Sequence, residues 1–456
     1  MSTQANYLVA VVGAGPAGLF AARELATQNV HVVLINRDIK PGGLAEYGIY
    51  PEKYKMKDGL RAQFRQILSL PEIEYYGNLT VGQRGDLTLS ELRSLGFQAI
   101  LVTSGAQGTK WLGLPGEQLQ GVYHAKDIVY LYNRLPPFSE RQFRIGRRVA
   151  VIGAGNVSID ICRYLATLNQ VEEIYAVVRR GPGEIKFSRP ELENMVNLLD
   201  REDLAVEMKP LAPLMQSLGQ NPNDFYTFIQ GAQDKACETD SRAKFRLRFL
   251  VSPTRMLGDS QGQMTGMEVE ENTLVMENGE AKAISLGTRR MMDVDTVIFA
   301  IGDRVDDTFG LPVQGSEFVK NPAPLYPVEG ISYETYDPQA KCPITGVFVS
   351  GWSRKASSGL VGVARKDGVN GARAVLQYLK TLPPLEILPL DAIAQRLSLI
   401  ERPVIHQADL ARLNEVERER AQQLGLAEFK YASNQEMLAA VGLLPAALSG
   451  SSASRR

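Results

Sequence analysis

Residues 11–20 read VVGAGPAGLF, and residues 151–160 read VIGAGNVSID. In both stretches an apolar run enters a GxG turn, and a run with helical periodicity follows. After the first of them, VHVVLIN at residues 30–36 has the composition of a further buried strand. Strand, glycine turn, helix and strand in this order are typical of a dinucleotide-binding βαβ unit. The sequence therefore predicts an α/β chain with two Rossmann-like dinucleotide-binding domains.

The first turn has the complete GxGxxG pattern. Gly13 permits the tight turn, Gly15 lets a pyrophosphate approach the backbone, and Gly18 lets helix and strand pack closely. An acidic residue that binds the ribose usually follows about 20 residues later, and here the position is taken by Asn36, whose amide makes a weaker bond. The next stretch, PGGLAEYGIYPEKYKMK at residues 41–57, has the glycine and aromatic content of a loop against a ring system, with a surface turn as the alternative.

The second turn places Gly153 and Gly155 in the first two glycine roles and Ser158 in the third. Its following strand, EIYAVV, ends in Arg179 and Arg180. A guanidinium binds phosphate through two parallel hydrogen bonds, so an arginine pair where NAD enzymes carry an acid favours NADP. Two dinucleotide sites on one chain suggest electron transfer between FAD and NADP, because these cofactors carry chemistry that side chains lack.

Composition limits the remaining classes. Lysine plus arginine number 50 and aspartate plus glutamate 51, a balance that argues against nucleic acid as a partner. No apolar run is long enough to span a membrane, and the N-terminus enters its first strand almost at once, so we expect no membrane association and a cytoplasmic location. The three cysteines are far apart, which argues against a disulfide relay and leaves Cys162 as an expected buried thiol. None of the three histidines fits a metal motif, and no metal site is expected.

These motifs resemble the adrenodoxin-reductase type of ferredoxin–NADP reductase, within the wider glutathione-reductase-like flavoproteins. The similarity includes VVGAGPAGLFAA, GGLAEYGIYPEKYKMK, VAVIGAGNVSIDICR, VVRRGP, FSRPELENM, VIFAIGDR and GVFVSGWSRKASSGLVGVARKDG. It implies a discontinuous FAD domain, residues 1–106 and 303–380, with an NADP domain, residues 107–302, inserted into it. Residues 381–456 are then a helical C-terminal extension that ends in a mobile tail, SGSSASRR.

The resemblance also implies a set of site residues. The expected cofactor contacts in the FAD domain are Gly13, Gly15, Pro16, Ala17, Gly18, Asn36, Gly43, Leu44, Gly105, Gly351, Trp352, Gly359, Leu360 and Val361. Those in the NADP domain are Gly153, Gly155, Asn156, Val157, Arg179 and Arg180. The expected catalytic residues are Lys53, Glu191 and Trp352.

Three of these positions carry alternatives or departures. Lys53 stands where the family usually has a histidine, and a lysine does not titrate near neutrality unless it is strongly desolvated. Glu191 follows Ser188 in an S-x-x-E pattern, so a helix capping box is as good an interpretation as proximity to the redox centre. Residues 356–359 read ASSG where the family tends to have Gly-Pro-Thr-Gly.

The resemblance predicts an FAD-dependent oxidoreductase that exchanges a hydride with NADP(H) and single electrons with a ferredoxin-like iron–sulfur protein or flavodoxin. An acidic partner would dock on basic residues of the NADP domain, for which the candidates are Arg144, Arg147, Arg148, Lys244, Arg246 and Arg248. A solvated basic face is the other interpretation of these residues. Two rival functions stay open: an NADPH-oxidising subunit like the glutamate synthase small subunit, and a flavin-binding subunit that senses redox state without turnover.

Overall fold

The structure, a computed structural model, describes residues 7–444. It forms two compact units. Of the described residues, unit 1 contains 7–109, 133–140 and 302–444, and unit 2 contains 110–132 and 141–301. The tail SGSSASRR, expected to be mobile, lies outside the described residues.

Unit 1 begins with a βαβ unit and ends with helices. Its strands are β1 (Tyr7–Val12), β2 (Val30–Ile35), β3 (Ile73–Tyr76), β4 (Ala99–Val102), β5 (Gly108–Thr109), β14 (Asp303–Arg304), β15 (Val313–Gln314), β16 (Glu317–Phe318), β17 (Glu334–Asp337) and β18 (Cys342–Val349). Its α-helices are α1 (Pro16–Ala26), α2 (Leu44–Tyr47), α3 (Tyr54–Leu68), α4 (Leu89–Ser94), α10 (Val361–Leu379), α11 (Leu390–Ser398), α12 (Gln407–Gln423) and α13 (Asn434–Ala440).

The main sheet of unit 1 has the order β17-β18-β4-β1-β2-β3. All pairs in it are parallel except β17 with β18. Successive residues of β1 contribute to two different cores, with Val9 and Val11 in one and Leu8 and Ala10 in the other. The sheet is therefore covered on both faces, which is why its inner strands are apolar throughout rather than alternating.

The C-terminal helices share these two cores. Leu410 of α12 and Met437 of α13 pack in the first core, and Ile393 and Leu397 of α11 pack in the second. The helical C-terminal part expected from the sequence is therefore an integral layer of unit 1.

Unit 2 carries the second glycine turn. Its strands are β6 (Val122–His124), β7 (Arg148–Ile152), β8 (Glu173–Val178), β9 (Lys244–Phe249), β10 (Val251–Gly258), β11 (Met264–Glu277), β12 (Glu280–Met292) and β13 (Thr296–Phe299). Its α-helices are α5 (Ala125–Tyr132), α6 (Asn156–Ala166), α7 (Arg189–Leu192), α8 (Arg201–Ser217) and α9 (Pro222–Gln233).

The main sheet of unit 2 is wholly parallel, with the order β6-β13-β7-β8-β9. A separate antiparallel sheet joins β10, β11 and β12. Parallel sheets with intervening helices in both units confirm the predicted α/β class with two Rossmann-like domains. Within residues 7–444, no helix is both long and apolar enough to cross a membrane.

Candidate functional site

The first glycine turn joins β1 to α1. Gly13 has φ +111°, and a Cβ there would lie 2.5 Å from the carbonyl oxygen of Thr103. A Cβ on Gly18 would lie only 1.9 Å from the carbonyl oxygen of Gly13, whereas one on Gly15 would meet no atom within 4 Å. The turn is thus closed by protein at its first and third glycines and open at the second. A dinucleotide pyrophosphate fits that opening, because the first N–H groups of α1 have no acceptor inside the helix.

The side chain of Asn36 is hydrogen-bonded to this turn. Its Oδ1 accepts a hydrogen bond from the Ala14 N–H at 3.0 Å, and its Nδ2 donates to the carbonyl oxygens of Asp38 at 2.8 Å and Lys40 at 3.1 Å. The side chain is buried. Both ends of the amide therefore have protein partners, and the ribose contact stays a prediction.

The glycine-rich stretch after β2 lies directly on the turn. The Gly42 N–H donates to the carbonyl oxygen of Ala14 at 2.7 Å. Gly43 has φ +50°, and a Cβ on it would lie 3.1 Å from the Cα of Gly15. Leu44 then begins α2. Lys53 ends the short 3-10 helix Pro51–Lys53 and is half-buried.

Two later segments meet the same helix start. Gly351, with φ +65°, packs so closely that a Cβ on it would lie 2.6 Å from the Cβ of Ala17. The Gly105 N–H donates to Ser353 Oγ at 2.9 Å, which ties the loop after β4 to the loop after β18. Segments from four parts of the sequence, including the stretch at Gly43, therefore converge beyond the carboxyl ends of parallel strands, where ligands of such sheets bind.

Trp352 and the ASSG segment form a closed loop in front of α10. Trp352 Nε1 donates to the carbonyl oxygen of Ser358 at 2.9 Å. Ser357 has φ +52°, and its Oγ accepts a hydrogen bond from the Asp303 N–H at 2.8 Å. Gly359, with φ +75°, leads into Leu360 and Val361, where α10 begins. Leu360 is 76% exposed, which leaves the start of α10 open to a ligand.

A buried ionic cluster beside α2 was not anticipated from the sequence. Glu46 Oε1 lies 2.5 Å from Arg61 Nη2, 2.9 Å from Lys430 Nζ and 3.7 Å from Lys40 Nζ. Glu428 pairs with Lys57 Nζ at 2.7 Å and also with Arg61. The ionic cluster consists of Lys40, Glu46, Lys57, Arg61, Glu417, Glu428 and Lys430. Its directly paired members lie up to 384 residues apart in the chain, so no local pattern reveals it.

Burial and charge act in opposite directions in this cluster. Burial disfavours the charge of Glu428, but Lys430 and Arg61 outweigh it and lower the pKa of Glu428 to about 2. Burial disfavours the charge of Lys430 more strongly than the carboxylates of Glu46 and Glu428 favour it, so the pKa of Lys430 is lowered to about 8. All four cations and three carboxylates are thus held in place by one another.

The second glycine turn joins β7 to α6 in unit 2. A Cβ on Gly153, which has φ +148°, would lie 2.4 Å from the carbonyl oxygen of Ala300, and one on Gly155 would meet nothing within 4 Å. Ser158 takes the third glycine position, is buried, and donates from Oγ to the carbonyl oxygen of Gly155 at 2.6 Å. This turn is also open at its middle glycine, so it too fits a pyrophosphate.

A loop crosses the second turn. Lys186 donates from its backbone N–H to the carbonyl oxygen of Ala154 at 2.8 Å, and the Ser188 N–H donates to Asn156 Oδ1 at 2.8 Å. Asn156 thereby holds the loop, while Val157 beside it is 47% exposed. Arg179 and Arg180 follow the end of β8, the first exposed and the second half-buried.

The capping-box interpretation of Glu191 is wrong. Ser188 does precede α7, but its side chain accepts no hydrogen bond at the helix start. The bond from its N–H to Asn156 Oδ1 holds Ser188 to the glycine turn instead. Glu191 is half-buried in unit 2, whereas Lys53 and Trp352 belong to unit 1.

Sequence and structure comparisons agree with this geometry. A family model for pyridine nucleotide-disulphide oxidoreductases matches residues 7–208. NADPH:adrenodoxin oxidoreductase of Salvelinus fontinalis is 28% identical over 403 residues, 81% of this chain and 77% of the relative. NADPH-ferredoxin reductase FprA of Mycobacterium leprae is 28% identical over 402 residues, 81% and 84% of the two chains.

The chain is therefore similar over most of its length to proteins named as adrenodoxin and ferredoxin reductases. The fold agrees as well: Mycobacterium tuberculosis FprA in complex with NADPH has a TM-score of 0.79 at 24% identity, covering 95% of this chain and 99% of that one.

Most of the basic residues considered for docking are ion-paired. The burial of β9 alternates as expected, with Lys244 exposed. Arg246 pairs with Glu173 at 2.7 Å and Asp200 at 3.2 Å, and Arg248 pairs with Asp203 at 2.6 Å. In the preceding basic stretch the exposed Arg147 pairs with Glu172 at 2.5 Å, Arg148 pairs with Asp293, and Arg144 is exposed. The basic face of β9 is therefore largely neutralised by carboxylates.

The three histidines lie in or beside regular elements of the fold. His31 bonds to Glu74 at 3.0 Å, and His124 Nδ1 accepts a hydrogen bond from the Lys126 N–H. His406 precedes α12. Over residues 7–444 no group of histidine, cysteine or acidic residues could hold a metal ion. Cys162 is buried as expected, and burial raises the pKa of its thiol.

Proposed function

We propose that this chain is an FAD-dependent oxidoreductase that exchanges a hydride with NADP(H) and passes electrons singly to or from a ferredoxin-like iron–sulfur protein or flavodoxin. The observation that carries the proposal is the pair of glycine turns, each closed by protein at its first glycine and open at its second. The relatives named as adrenodoxin and ferredoxin reductases support it over most of their length. A cytoplasmic location is part of the proposal.

In unit 1, we assign FAD to the turn at Gly13–Gly18. The amides at the start of α1 would bind its pyrophosphate, and the segments at Gly43, Gly105 and Gly351 would enclose it. The start of α10 beyond Leu360 would face the ring system with its free N–H groups. Bound FAD supplies the exchange between two-electron and one-electron chemistry, and the chain supplies its position.

In unit 2, we assign NADP to the turn at Gly153–Ser158. The amides at the start of α6 would hold the pyrophosphate, and Arg179 and Arg180 would hold the 2′-phosphate through charge-assisted hydrogen bonds. We place Lys53, Trp352 and Glu191 beside the reacting rings.

The decisive experiment uses the purified full chain without added cofactor. We expect one bound FAD, with a visible absorbance that NADPH bleaches in the absence of air and NADH bleaches more slowly. A steady-state assay with an artificial acceptor should then show NADPH-dependent turnover. Protein purified without flavin would contradict the proposal. A flavin that NADPH leaves oxidised would favour the non-turnover subunit, and turnover only within a larger complex would favour the glutamate-synthase-like subunit.

We propose that the acidic partner docks on unit 2 through the exposed cations Arg144, Arg147 and Lys244, with Arg148 beside them. Arg246 and Arg248 contribute less to this surface because their side chains are only 17% and 15% exposed and pair with carboxylates of β8 and α8. A local basic surface on a chain of formal net charge -1 attracts an acidic partner over short range and loses that attraction in salt.

Charge reversal tests the docking surface. The double variant Arg144→Glu and Arg147→Glu should slow ferredoxin reduction about tenfold at low salt, because steering depends on local charge. The difference from the unchanged protein should shrink as salt increases. Lys282→Glu on β12 is the matched control, since Lys282 is also an exposed cation of unit 2 paired with a glutamate. An unchanged salt dependence in the double variant would exclude this surface.

A further inference from the structure

The helix α2 cannot hold its own position. It is a single turn of four residues, and an isolated turn this short is not stable in water. Yet the residue before it, Gly43, has φ +50° and lies so close to the first turn that a Cβ on it would be 3.1 Å from the Gly15 Cα. The helix must therefore be placed by groups outside its own segment.

Lys430 supplies that support from the C-terminal extension. Its Nζ donates to the carbonyl oxygen of Glu46 at 2.9 Å and pairs with Glu46 Oε1, also at 2.9 Å. The same ammonium lies 4.8 Å from the ring centroid of Tyr47. One buried cation thus contacts the last two residues of α2, at the helix end where a positive charge is favourable.

The rest of the ionic cluster extends the connection to both sides of α2. Glu417 of α12 pairs with Lys40, which lies before the helix, at 2.5 Å. Glu428 pairs with Lys57 of α3, which lies after it, at 2.7 Å. Three charged residues of the C-terminal extension therefore contact the chain before, within and after α2.

We infer that Lys430 is a positioning residue for the FAD site, which the C-terminal extension completes by holding α2 against the first glycine turn. The inference rests on the proposed function, because it concerns the assigned FAD site. Lys430 acts through Glu46 and Tyr47 rather than by touching the cofactor. Without its ammonium, Glu46 keeps Lys40 and Arg61 as partners, so we expect the chain still to fold.

The test compares two variants of the C-terminal extension in the full chain. Lys430→Met keeps the bulk of the side chain and removes its charge. Arg396→Met removes another ion pair of the extension, to Glu91 at 3.0 Å, without touching α2. FAD is removed and added back, and its dissociation constant, its visible circular dichroism and the unfolding midpoint of the apoprotein are measured.

We expect Lys430→Met to raise the FAD dissociation constant about tenfold, the effect of one charge-assisted contact, and to change the visible circular dichroism. Arg396→Met should leave both unchanged. Unaltered FAD affinity in folded Lys430→Met would overturn the inference, and so would an equal loss in Arg396→Met. Should Lys430→Met be insoluble, Lys430→Gln, which retains a donor for the Glu46 carbonyl, is judged by the same criteria. If the proposed function itself is wrong, the unchanged protein will bind no FAD, and this result distinguishes the two failures.

Discussion

Replacing Gly18 by alanine should strongly weaken FAD binding. The new Cβ would lie 1.9 Å from the carbonyl oxygen of Gly13 and 2.5 Å from Thr103 Oγ1, which itself donates to that carbonyl. Neither neighbour can yield without opening the turn that carries Gly15. Overpacking of a tight site costs about 1–3 kcal/mol, so we expect FAD affinity to fall about 10- to 100-fold. Flavin content after gel filtration and FAD titration of the apoprotein measure the effect.

Gly59→Ala is the matched control for Gly18→Ala. Gly59 also lies within a helix of unit 1, α3, but a Cβ there would meet nothing within 4 Å. Alanine is a better helix former than glycine, so this control should stabilise the chain by about 0.5–1 kcal/mol and leave FAD bound. Full flavin content in Gly18→Ala would show that the first turn does not hold the cofactor as proposed.

Replacing Arg179 and Arg180, the two adjacent arginines after β8, by alanine should abolish the preference for NADPH over NADH. Among the residues that the structure describes, no carboxylate is paired with Arg179 or Arg180, so both guanidiniums are available to a phosphate. Hydrogen bonds to charged groups are each worth about 1.5–3 kcal/mol. We therefore expect the double alanine variant to lose about a hundredfold in kcat/KM for NADPH. The kcat/KM for NADH should change little, because NADH lacks the 2′-phosphate.

Arg147→Ala provides the control for charge. It removes an exposed arginine of the same unit that is paired with Glu172 and precedes β7, whereas the second turn follows that strand. With an artificial acceptor its kcat/KM should match the unchanged protein for both nucleotides. A double variant that loses NADPH and NADH activity equally would point to a damaged fold rather than to a lost phosphate contact.

The glycine turns were predictable because their chemistry is local. Gly13 and Gly153 both have positive φ, and each is packed against a backbone carbonyl, a condition that the GxG pattern encodes within a few residues. Ser158 in the position of the third glycine could be interpreted in the same way, since its hydroxyl donates to a carbonyl oxygen three residues away. The two parallel sheets were predictable from the same strand–turn–helix pattern.

Interactions between distant segments could not be predicted. The basic stretch RAKFRLRF gave no sign that carboxylates from β8 and α8 would pair with Arg246 and Arg248. The S-x-x-E pattern at Ser188 suggested a capping box, but the Ser188 N–H instead donates a tertiary hydrogen bond to Asn156 Oδ1. The ionic cluster needed α12 and the segment after it to fold back on residues 40–61. Only the folded chain brings such groups together.

The interrupted sequence of unit 1 has a consequence for biosynthesis. The five strands of the parallel sheet in unit 2 are all made once Phe299 has left the ribosome, because they lie between residues 122 and 299. In unit 1, by contrast, β4 pairs with β18, which ends at Val349, nearly 250 residues later in the chain. Until then the apolar strand Ala99–Val102 has one open edge, the kind of surface on which nascent chains aggregate. Two strands translated after the whole of unit 2, β17 and β18, therefore complete the sheet that the first part of the chain began.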